Sequence, residues 1–466
     1  MNKILERSVV SELSKRSFKF FVKEFWSSAD TSNLIHNWHI DFLADELQKS
    51  VELVLKGEPK KEDVIINICP GTSKSMITSV MLPAWLFIKD PTIRIITGSF
   101  SSTIALELSN KSKTLIDSDK FREHFPHVKL KQGEDTKSFY KTNHGGFRFV
   151  TSSGSNIIGI HADIIIIDDP ETTNSVNSEA ERTRIQNWLS SKLSARKTDK
   201  LKTLTIYIQQ RLHRKDATAF LLSRNTPMKH IVLPAILSDN INPPEAKEFY
   251  TDGLLDVHRL NHNALNILKA DLGSYDYNAQ VLQDPEDSSN TIISKDWISF
   301  IDSIESFGKP QYHYFLDTAY GGEKADYNAI LECFSDSGNL YITNCYRSQE
   351  EFPQLIKSII HFCNKSKSLY IETKASGKSI LQQLKASTNF NIKTLNPTEN
   401  KLIRLRSISP TVEGGRVYVL KGSWNKMLLD EVCSNYPPND DLRDTFTYAV
   451  DTLLIRNKKH GHYAIG

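Results

Sequence analysis

Two patterns of hydrophobic and polar positions follow one another along the 466-residue chain. In the opening 50 residues, large apolar side chains recur every three to four positions, which predicts amphipathic helices; they are Phe20, Phe21, Phe25, Trp38, Phe42, Leu43 and Leu47. From about residue 64, short apolar runs alternate with amphipathic stretches: VIINIC, SMITSVMLPAWLF, IRIITGS, STIALELSNKSKTLI, ADIIIID and KTLTIYIQ. This alternation of strands and helices is typical of a mostly parallel, doubly wound sheet.

The pattern loosens between residues 224 and 310, where polar and turn-forming runs such as INPPEAKEF and LQDPEDSSN prevail. A second series of strands starts at residue 312 with YHYFLDTA, NAILECFS and LYITNCY, followed by a helix near 351–363, the strand LYIETK and another helix. This order predicts an α/β domain with a mixed sheet. The expected division is therefore a helical segment at 1–50 that joins a first α/β domain at 51–240, a link at 241–310 and a second α/β domain at 311–466.

Composition narrows the class of protein. The chain is 39% hydrophobic and 24% charged, as in globular proteins, and its length suits two domains. No apolar run reaches the roughly 18 residues of a membrane helix, and the first residues lack the apolar region of a secretory signal. Five scattered cysteines without a CxxC pair argue for a reducing compartment and against a structural zinc site. A net charge of +3 permits a nucleic-acid partner but does not demonstrate one.

A candidate phosphate-binding loop lies between the first strand and the following helix. Its residues are Pro70, Gly71, Thr72, Ser73, Lys74 and Ser75. At such a junction, backbone N–H groups can surround a phosphate, a Lys can reach the β- and γ-phosphates, and a hydroxyl can hold Mg²⁺. Lys74 and Ser75 stand at the last two places, but Ile68 and Ser73 replace the glycines of the G-x-x-x-x-G-K-[ST] pattern. A plain strand–turn–helix remains the alternative. We expect Ser73 to adopt the loop conformation with some strain.

Acidic residues follow a strongly apolar strand about 90 residues later. Four consecutive isoleucines, 164–167, suit a strand buried on both faces, and the acids after it would point into the crevice at the carboxyl edge of the sheet. Asp168 would hold Mg²⁺ through water, and Asp169 or Glu171 would orient or deprotonate the attacking water. The alternative is a buried strand with a polar turn after it.

Two weaker signals accompany this candidate nucleotide site. The strand that ends in Gln209 is followed by Gln210, Arg211, Leu212 and His213, and polar residues at a strand tip could sense the γ-phosphate. A solvated loop is the alternative. Upstream of the loop, Trp38 and His39 could stack on or hydrogen-bond to adenine, or simply pack a helix.

A second acidic constellation lies in the second α/β domain. Two of its members end strands and the others begin a helix; they are Asp317, Glu372, Asp440, Asp441 and Asp444. Carboxylates gathered at one point repel each other unless divalent cations compensate. Such a set can bind two Mg²⁺ or Mn²⁺ ions about 4 Å apart, one generating the nucleophilic water and the other stabilising the leaving oxygen. Asp326 is an auxiliary ligand or a turn residue, and for Asp440 a helix cap is the alternative.

Taken together, these motifs resemble those of the large terminase subunits of tailed bacteriophages over nearly the whole chain. PGTSKS is similar to the family's nucleotide loop, IIIIDDPE to its Walker B strand and IQQRLHRKD to its coupling motif. Residues 275–280 with Gln283 and Pro285 look like its bridge. FLDTA, YIETKASG and DDLRDTF look like its nuclease motifs, with Asn439 where the family commonly has His.

The resemblance implies an N-terminal P-loop ATPase domain and a C-terminal RNase H-like nuclease domain. ATP hydrolysis would move double-stranded DNA into a procapsid, and the nuclease would cut concatemeric DNA at initiation and termination. The implied cofactors are ATP and Mg²⁺, with Mn²⁺ accepted by the nuclease. The implied partners are a portal protein, a small terminase subunit and further copies of the chain in a ring, in the host cytoplasm. Lys401 and Arg404 would contact the DNA backbone.

One departure from the family concerns the arginine that many relatives carry after the loop proline, where this chain has Gly71. Arg211, Arg148 or an arginine of a neighbouring subunit are the alternatives for acting on the γ-phosphate. Two other functions remain open at this stage. A helicase-nuclease of repair or defence would need a second motor domain, for which 224–310 is too short. A catalytically decayed DNA-binding remnant would fit the missing glycines but not the intact acids.

Overall fold

The computed structural model describes residues 2–285, 291–318, 327–365, 368–373, 377–434 and 437–456. The chain forms two compact units, the first made of Met1–Ile267 and Asp276–Asp287, the second of Leu268–Tyr275 and Ser288–Gly466. Residues of the predicted link, 241–310, are therefore distributed over both units. Within the described ranges, every helix is too short or too polar to cross a membrane.

The first unit begins with helices and continues as an alternation of strands and helices. Its helices are α1 (Asn2–Arg16), α2 (Phe18–Ala29), α3 (Trp38–Leu55), α4 (Leu82–Lys89), α5 (Ser102–Asp117), α6 (Asp119–His124), α7 (Glu179–Asn187), α8 (Ala217–Leu222) and α9 (His262–Gln280), of which α9 contains a non-helical residue at Gly273 and extends into the second unit. Its strands are β1 (Asp63–Ile68), β2 (Arg94–Ser99), β3 (Leu130–Asp135), β4 (Phe139–Thr142), β5 (Phe147–Ser152), β6 (Ile164–Asp168), β7 (Leu204–Gln209) and β8 (Met228–Leu233). A π-helical segment, Met76–Met81, precedes α4 directly, and another, Trp188–Lys192, follows α7.

The sheet of the first unit has the strand order β3-β4-β5-β2-β6-β7-β1-β8. The pairs β3-β4 and β4-β5 are antiparallel. All other neighbouring pairs, from β5-β2 to β1-β8, are parallel. Strands β1, β6 and β7 are buried along their whole length, which explains their continuous apolar runs. The predicted mostly parallel α/β fold is confirmed.

Helices α2 and α3 pack against each other and bury apolar positions that the sequence pattern identified. Phe21 and Phe25 of α2 stack with ring centroids 4.9 Å apart, and both are fully buried. Leu43 and Leu47 of α3 are fully buried as well. Each of these pairs is spaced by four residues and therefore lies on one helix face.

The second unit contains a mixed sheet covered by helices. Its strands are β9 (Ile298–Ile301), β10 (His313–Asp317), β11 (Asn328–Asp336), β12 (Asn339–Ser348), β13 (Ser368–Glu372), β14 (Asn391–Leu395) and β15 (Val417–Leu420). Its further helices are α10 (Phe352–Phe362), α11 (Gly377–Ser387), α12 (Lys401–Glu413), α13 (Asn425–Val432) and α14 (Asp441–Val450), which a π-helical segment, Asp451–Arg456, continues. The strand order is β14-β13-β10-β11-β12-β15-β9.

Strands β10, β11 and β12 of the second unit pair antiparallel, whereas the other neighbours pair in parallel. Each face of the sheet carries its own apolar cluster. One contains Phe315, Leu405 and Phe446, and the other contains Leu316, Ile359 and Ile371. Neighbouring residues Phe315 and Leu316 face opposite clusters, as the two-residue period of a strand requires. The predicted mixed α/β sheet is confirmed.

Candidate functional site

The candidate nucleotide loop connects the carboxyl end of β1 to the π-helical segment before α4. Gly71 and Ser73 have positive φ angles of 79° and 62°, and the Thr72 hydroxyl donates to the Cys69 carbonyl at 2.8 Å. Ser73 thus holds the left-handed conformation that glycine adopts without a steric cost, as the sequence led us to expect. For a residue with a Cβ this conformation costs on the order of 1–2 kcal/mol.

Lys74 and Ser75 meet the two acids that follow β6. The Lys74 ammonium lies 3.1 Å from Asp169 Oδ1 and is itself buried. The Ser75 hydroxyl donates to Asp168 Oδ1 at 3.0 Å, and the Ser79 hydroxyl donates to Asp168 Oδ2 at 2.8 Å. The structure therefore brings together the loop lysine, the loop hydroxyl and both aspartates, at the carboxyl edge of the parallel sheet.

The two aspartates differ in environment. Burial raises the pKa of Asp168 to about 6, and the charge of Asp169 adds to this effect, whereas Lys74 and the two serine hydroxyls oppose it. Asp169 has a positive φ of 43°. Its N–H donates to the Ile208 carbonyl at 2.8 Å and its own carbonyl accepts the Phe100 N–H at 2.9 Å. The backbone of Asp169 is therefore fixed between β2 and β7, with its side chain about one-third exposed beside Lys74.

Glu171, the alternative to Asp169 for activating water, lies in a different environment. Its Oε2 accepts the Ala217 N–H at 2.6 Å, at the start of α8, and its Oε1 has no hydrogen-bond partner in the described part of the chain. Burial raises the pKa of Glu171 to about 8, and the nearby charge of Asp216 contributes. At neutral pH the protonated form therefore prevails, which is unsuited to a general base. The geometry favours Asp169.

Of the two glutamines at the tip of β7 that could sense the γ-phosphate, Gln210 reaches Lys74 and Gln209 does not. Gln210 Oε1 accepts a hydrogen bond from the Lys74 ammonium. Gln209 is buried, and its Nε2 donates to the Thr218 hydroxyl at 2.7 Å. Alternation along β7 sends the two side chains to opposite sides. Which of the two glutamines reaches Lys74 depends on which side of the sheet faces the loop, and the sequence does not show this.

The two arginines suggested by the sequence make contacts away from the nucleotide loop. Arg211 Nε donates to Asp216 Oδ2 at 2.9 Å, and this carboxylate also accepts the Leu212 N–H at 3.1 Å. Arg148 is almost completely buried, and its Nε donates to the Thr97 hydroxyl at 3.1 Å. The described contacts of Arg211 thus stabilise the coupling motif, and those of Arg148 lie within the sheet.

A different arginine, which sequence reasoning missed, contacts the loop. Arg259 NH1 donates to the Ser73 hydroxyl at 2.8 Å, and its Nε donates to the fully buried Asp256 at 2.6 Å. Arg259 lies just before α9, in the region that the sequence analysis assigned to the link. No motif or spacing singles it out there.

The side chains expected at adenine, Trp38 and His39, make contacts within the protein instead. Burial lowers the pKa of His39 to about 4, with a further contribution from Arg259, so its imidazole is neutral. His39 Nε2 lies 3.1 Å from the Thr72 carbonyl oxygen. The Trp38 ring stacks on Phe249 with centroids 5.3 Å apart. These contacts do not support a role of Trp38 and His39 in binding adenine. His39 supports the backbone of the loop, and Trp38 packs against Phe249.

In the second unit, two paired strands present carboxylates at one edge of the sheet. Strands β10 and β13 run parallel with Leu316 opposite Ile371, so Asp317 and Glu372 end neighbouring strands at the same edge. Helix α14 packs against β10 and β11 and contributes the buried Asp441 and Asp444, which are one turn apart. The structure therefore gathers the strand acids and the helix acids that the sequence analysis grouped.

The electrostatics of Asp317 show how close these acids are. Burial raises the pKa of Asp317 to about 8, and the negative charges of Asp444, Glu372 and Asp441 raise it further, while Lys401 opposes them. Burial also raises the pKa of Asp444. Carboxylates that resist ionisation together form a site with strong demand for positive charge.

Lys401 and Arg404, which begin α12, supply part of that charge. The Lys401 ammonium lies 2.8 Å from Asp440 Oδ1 and 2.9 Å from Asp444 Oδ2. Arg404 NH2 lies 3.1 Å from Asp444 Oδ1, and its guanidinium lies 4.7 Å from the ring centroid of Tyr448. The sequence analysis expected both cations to contact the DNA backbone. Their described contacts are with the acids of the site, and contact with the DNA backbone stays a prediction.

A comparison with protein families decides the nature of this unit. Residues 315–449 match the family model described as the terminase RNaseH-like domain. These bounds include the whole acid group of the second unit, which consists of Asp317, Glu372, Asp440, Asp441 and Asp444. The second unit is a terminase RNase H-like domain. This match confirms the predicted RNase H-like fold of the second domain, and it agrees with the nuclease motifs that carry the resemblance to large terminase subunits.

Solved terminase structures are similar to the chain at low identity. The large terminase of the thermophilic bacteriophage D6E with ADP is 13% identical over 87% of this chain and 99% of its own, with a TM-score of 0.46. The large terminase of bacteriophage HK97 is 12% identical over 87% and 94%, with a TM-score of 0.36. The magnesium-bound terminase nuclease of phage G20c is 16% identical over 35% and 98%, with a TM-score of 0.28. Likenesses of this size carry no further argument. No curated protein matches the chain.

The acid group of the terminase domain suits divalent cations in its donor chemistry. Asp317, Glu372, Asp441 and Asp444 offer hard oxygen ligands, which Mg²⁺ prefers. As placed, however, the described residues contain no trio of His, Cys, Asp or Glu side chains arranged around one ion position. Lys401 and Arg404 contact Asp444 there. Asp326, the suggested auxiliary ligand, lies outside the described residues.

Proposed function

We propose that the protein is the ATP-driven motor and nuclease of viral DNA packaging. The observation that carries the proposal is the meeting of Lys74 and Ser75 with Asp169 and Asp168 in a chain whose other unit is a terminase RNase H-like domain. A lysine and a hydroxyl at a loop before a helix, facing two acids at the tip of a parallel strand, form the constellation that phosphoryl transfer from a nucleotide requires.

In the first unit, each residue has a distinct role toward ATP. Lys74 binds the β- and γ-phosphates in exchange for its present contact with Asp169, while Gln210 goes on accepting a hydrogen bond from the ammonium. Ser75 and Asp168 hold Mg²⁺, which when bound neutralises charge on the phosphates. Asp169 orients the attacking water and accepts its proton, since its side chain is partly exposed beside Lys74 whereas Glu171 is buried. ATP, Mg²⁺ and a hydrolytic cycle are thus the proposed first activity.

In the second unit, the acids act on a phosphodiester. Asp317, Glu372 and Asp441 or Asp444 hold one or two divalent cations, Mg²⁺ or Mn²⁺, which when bound activate water and stabilise the leaving oxygen. Asp440 is already balanced by Lys401 and Arg443, which hold its pKa low against the effect of burial. It therefore orients Lys401 more than it binds metal.

The partners follow from the same proposal. Double-stranded DNA is the substrate of both units, and the motor docks as a ring of copies on a portal protein in the host cytoplasm, with a small terminase subunit that selects the DNA. The resemblance of the motifs to those of large terminase subunits is the reason for proposing this assembly. A helicase-nuclease and a decayed DNA-binding remnant remain as competing functions, and the activities below distinguish the remnant from the two enzymes.

The test uses the full-length protein and two pairs of variants. ATP hydrolysis is measured for wild type, Lys74→Ala and the control Lys111→Ala, whose ammonium pairs with Asp30 elsewhere in the unit. Mn²⁺-dependent plasmid cutting is measured for wild type, Asp317→Ala and the control Asp336→Ala, an exposed residue at the end of β11. We expect both activities in wild type and both controls, and a loss only in Lys74→Ala or Asp317→Ala respectively. Absence of both activities in wild type would favour the remnant.

A further inference from the structure

The Ser73 hydroxyl and the Arg259 guanidinium form a hydrogen bond that joins the nucleotide loop to a segment 186 residues further along the chain. Ser73 holds a positive φ of 62° at the position where nucleotide loops usually have glycine. Only a few other non-glycine residues share this feature in the described structure, and Asp169 at the same site is one of them. Strained backbone of this kind persists only where surrounding contacts hold it.

Arg259 is itself rigidly placed. Its Nε donates to Asp256 Oδ2 at 2.6 Å, and its own N–H donates to Asp256 Oδ1 at 3.1 Å. Asp256 is fully buried. The preceding Leu255 carbonyl accepts a hydrogen bond of 2.9 Å from the side chain of Asn37, the N-cap of α3. Asp256 therefore fixes the Nε edge of the guanidinium and directs NH1 at the Ser73 hydroxyl.

We infer that Arg259 is a positioning residue of the nucleotide loop: its hydrogen bond to the Ser73 hydroxyl holds the left-handed backbone that the missing glycine would otherwise adopt freely. A charged donor makes a stronger hydrogen bond than a neutral one, which offsets the strain of a side chain at positive φ. His39, whose Nε2 lies 3.1 Å from the Thr72 carbonyl oxygen and 3.3 Å from Arg259 NH2, supports the same turn. The serine in the loop and the distant arginine thus act as a pair. This inference rests on the proposed binding of ATP.

The test compares nucleotide binding in full-length variants with a fluorescent ADP analogue. Ser73→Ala removes the hydroxyl but leaves Arg259 on Asp256, and we expect about tenfold weaker binding, the scale of one lost hydrogen bond to a charged group. Ser73→Gly supplies a background in which the loop conformation needs no support, since glycine adopts it without strain. Arg259→Gln should weaken binding in the wild-type background and have little effect in the Ser73→Gly background. Arg94→Gln, which breaks the ion pair with Asp163 at the far end of the sheet, is the control.

Two results overturn the inference. One is wild-type affinity in Ser73→Ala, and the other is an equal loss for Arg259→Gln in the serine and glycine backgrounds, which would mean that Arg259 acts independently of Ser73. If Arg259→Gln fails to fold, Ser73→Ala still tests the hydrogen bond between Ser73 and Arg259. Binding by wild type that is lost in Lys74→Ala establishes the nucleotide site separately. A wild type that binds no nucleotide overturns the proposed function and this inference with it.

Discussion

The Ser75 hydroxyl donates a hydrogen bond of 3.0 Å to Asp168 Oδ1, although 93 residues separate the two. Ser75 follows β1 and Asp168 ends β6, and β7 lies between these strands in the sheet. Parallel strands end at one edge, so a hydroxyl after one strand and an acid at the tip of another meet without any contact along the strands themselves. A hydroxyl and a carboxylate held at this distance can share one Mg²⁺ ion.

The first prediction separates the two acids considered for activating water. Asp169→Asn should lower the rate of ATP hydrolysis by about 10²–10⁴-fold, the usual contribution of a general base, and leave nucleotide binding nearly unchanged. Glu171→Gln should retain most of the activity, because Glu171 bonds to the Ala217 N–H and is protonated at neutral pH. Steady-state hydrolysis and binding of a fluorescent ADP analogue measure both. Strong loss of turnover in Glu171→Gln alone would reverse the assignment.

The second prediction concerns stability and pH at Glu171. Its pKa is about 8 in the folded protein and near 4.5 when unfolded, so between these values the folded state binds more protons. The free energy of unfolding should therefore fall as pH rises through this window, at most by about 1.4 kcal/mol per pH unit. A glutamine at position 171 cannot ionise, but its side-chain oxygen still accepts a hydrogen bond from the Ala217 N–H. Measured by urea unfolding between pH 5 and 9, the free energy of unfolding of Glu171→Gln should rise relative to that of wild type toward pH 9. A difference that does not change with pH would contradict the raised pKa of Glu171.

The sequence predicted both sheets and the acids at their edges because these depend on local patterns. Buried strands require apolar runs, and a carboxylate at the end of such a run marks the edge of the sheet, as Asp168 does after Ile167. The resemblance to large terminase subunits then related these motifs to one another. What it could not supply was the direction of side chains at the ends of elements. Gln209 and Gln210 are adjacent, and only the register of β7 against its neighbours decides which one faces Lys74.

The third prediction follows from that difference. Gln210→Ala should weaken nucleotide binding or slow hydrolysis, because it removes a hydrogen-bond acceptor from the Lys74 ammonium. Gln209→Ala should instead lower the melting temperature, since it opens a buried space and removes the hydrogen bond to Thr218. Thermal unfolding and ATP hydrolysis are measured on both variants. The prediction fails if Gln209→Ala lowers activity at unchanged stability while Gln210→Ala does neither.

Contacts between residues that are far apart in the sequence could not be predicted from the sequence either. Arg259 lies in a polar region without strand or helix periodicity, and nothing in its neighbours relates it to Ser73. Lys401 and Arg404 were recognised as cations near the nuclease motifs, but their partners depend on how α12 packs against α14. A basic residue beside an acidic site either meets substrate phosphates or balances the acids, and the residue type fits both.

The fourth prediction concerns the helix that carries Asp441 and Asp444. Helix α14 begins without a side-chain cap from Asp440; instead Glu431 Oε2 accepts the Leu442 N–H at 2.8 Å and pairs with Arg347. Glu431→Ala should therefore destabilise the second unit by about 1–3 kcal/mol and lower nuclease activity, with ATP hydrolysis unchanged. Glu351→Ala, at the start of α10 where the side chain makes no cap bond, is the control. Equal melting temperatures for both variants would contradict a capping role.

The fifth prediction tests whether Lys401 serves as a countercharge of the acid group. Its ammonium contacts Asp440 and Asp444, and both the interaction with Asp444 and the hydrogen bond to Asp440 raise the pKa of Lys401 despite its burial. Lys401→Ala leaves these carboxylates with less positive charge, so the second unit should melt at a lower temperature in a chelator. A divalent cation supplies the lost charge, and Mn²⁺ should therefore raise the melting temperature of the variant more than that of wild type.

Thermal unfolding with EDTA or with Mn²⁺ measures this difference without relying on catalysis. Lys421→Ala is the matched control, because its ammonium pairs with the exposed Asp302 away from the acid group. A role limited to DNA contact predicts the opposite result: equal responses to Mn²⁺ in wild type and Lys401→Ala, with a weaker affinity for DNA in the variant. A countercharge predicts that the larger Mn²⁺ response appears in the absence of DNA, since the unpaired carboxylates and not the nucleic acid create the demand for the cation.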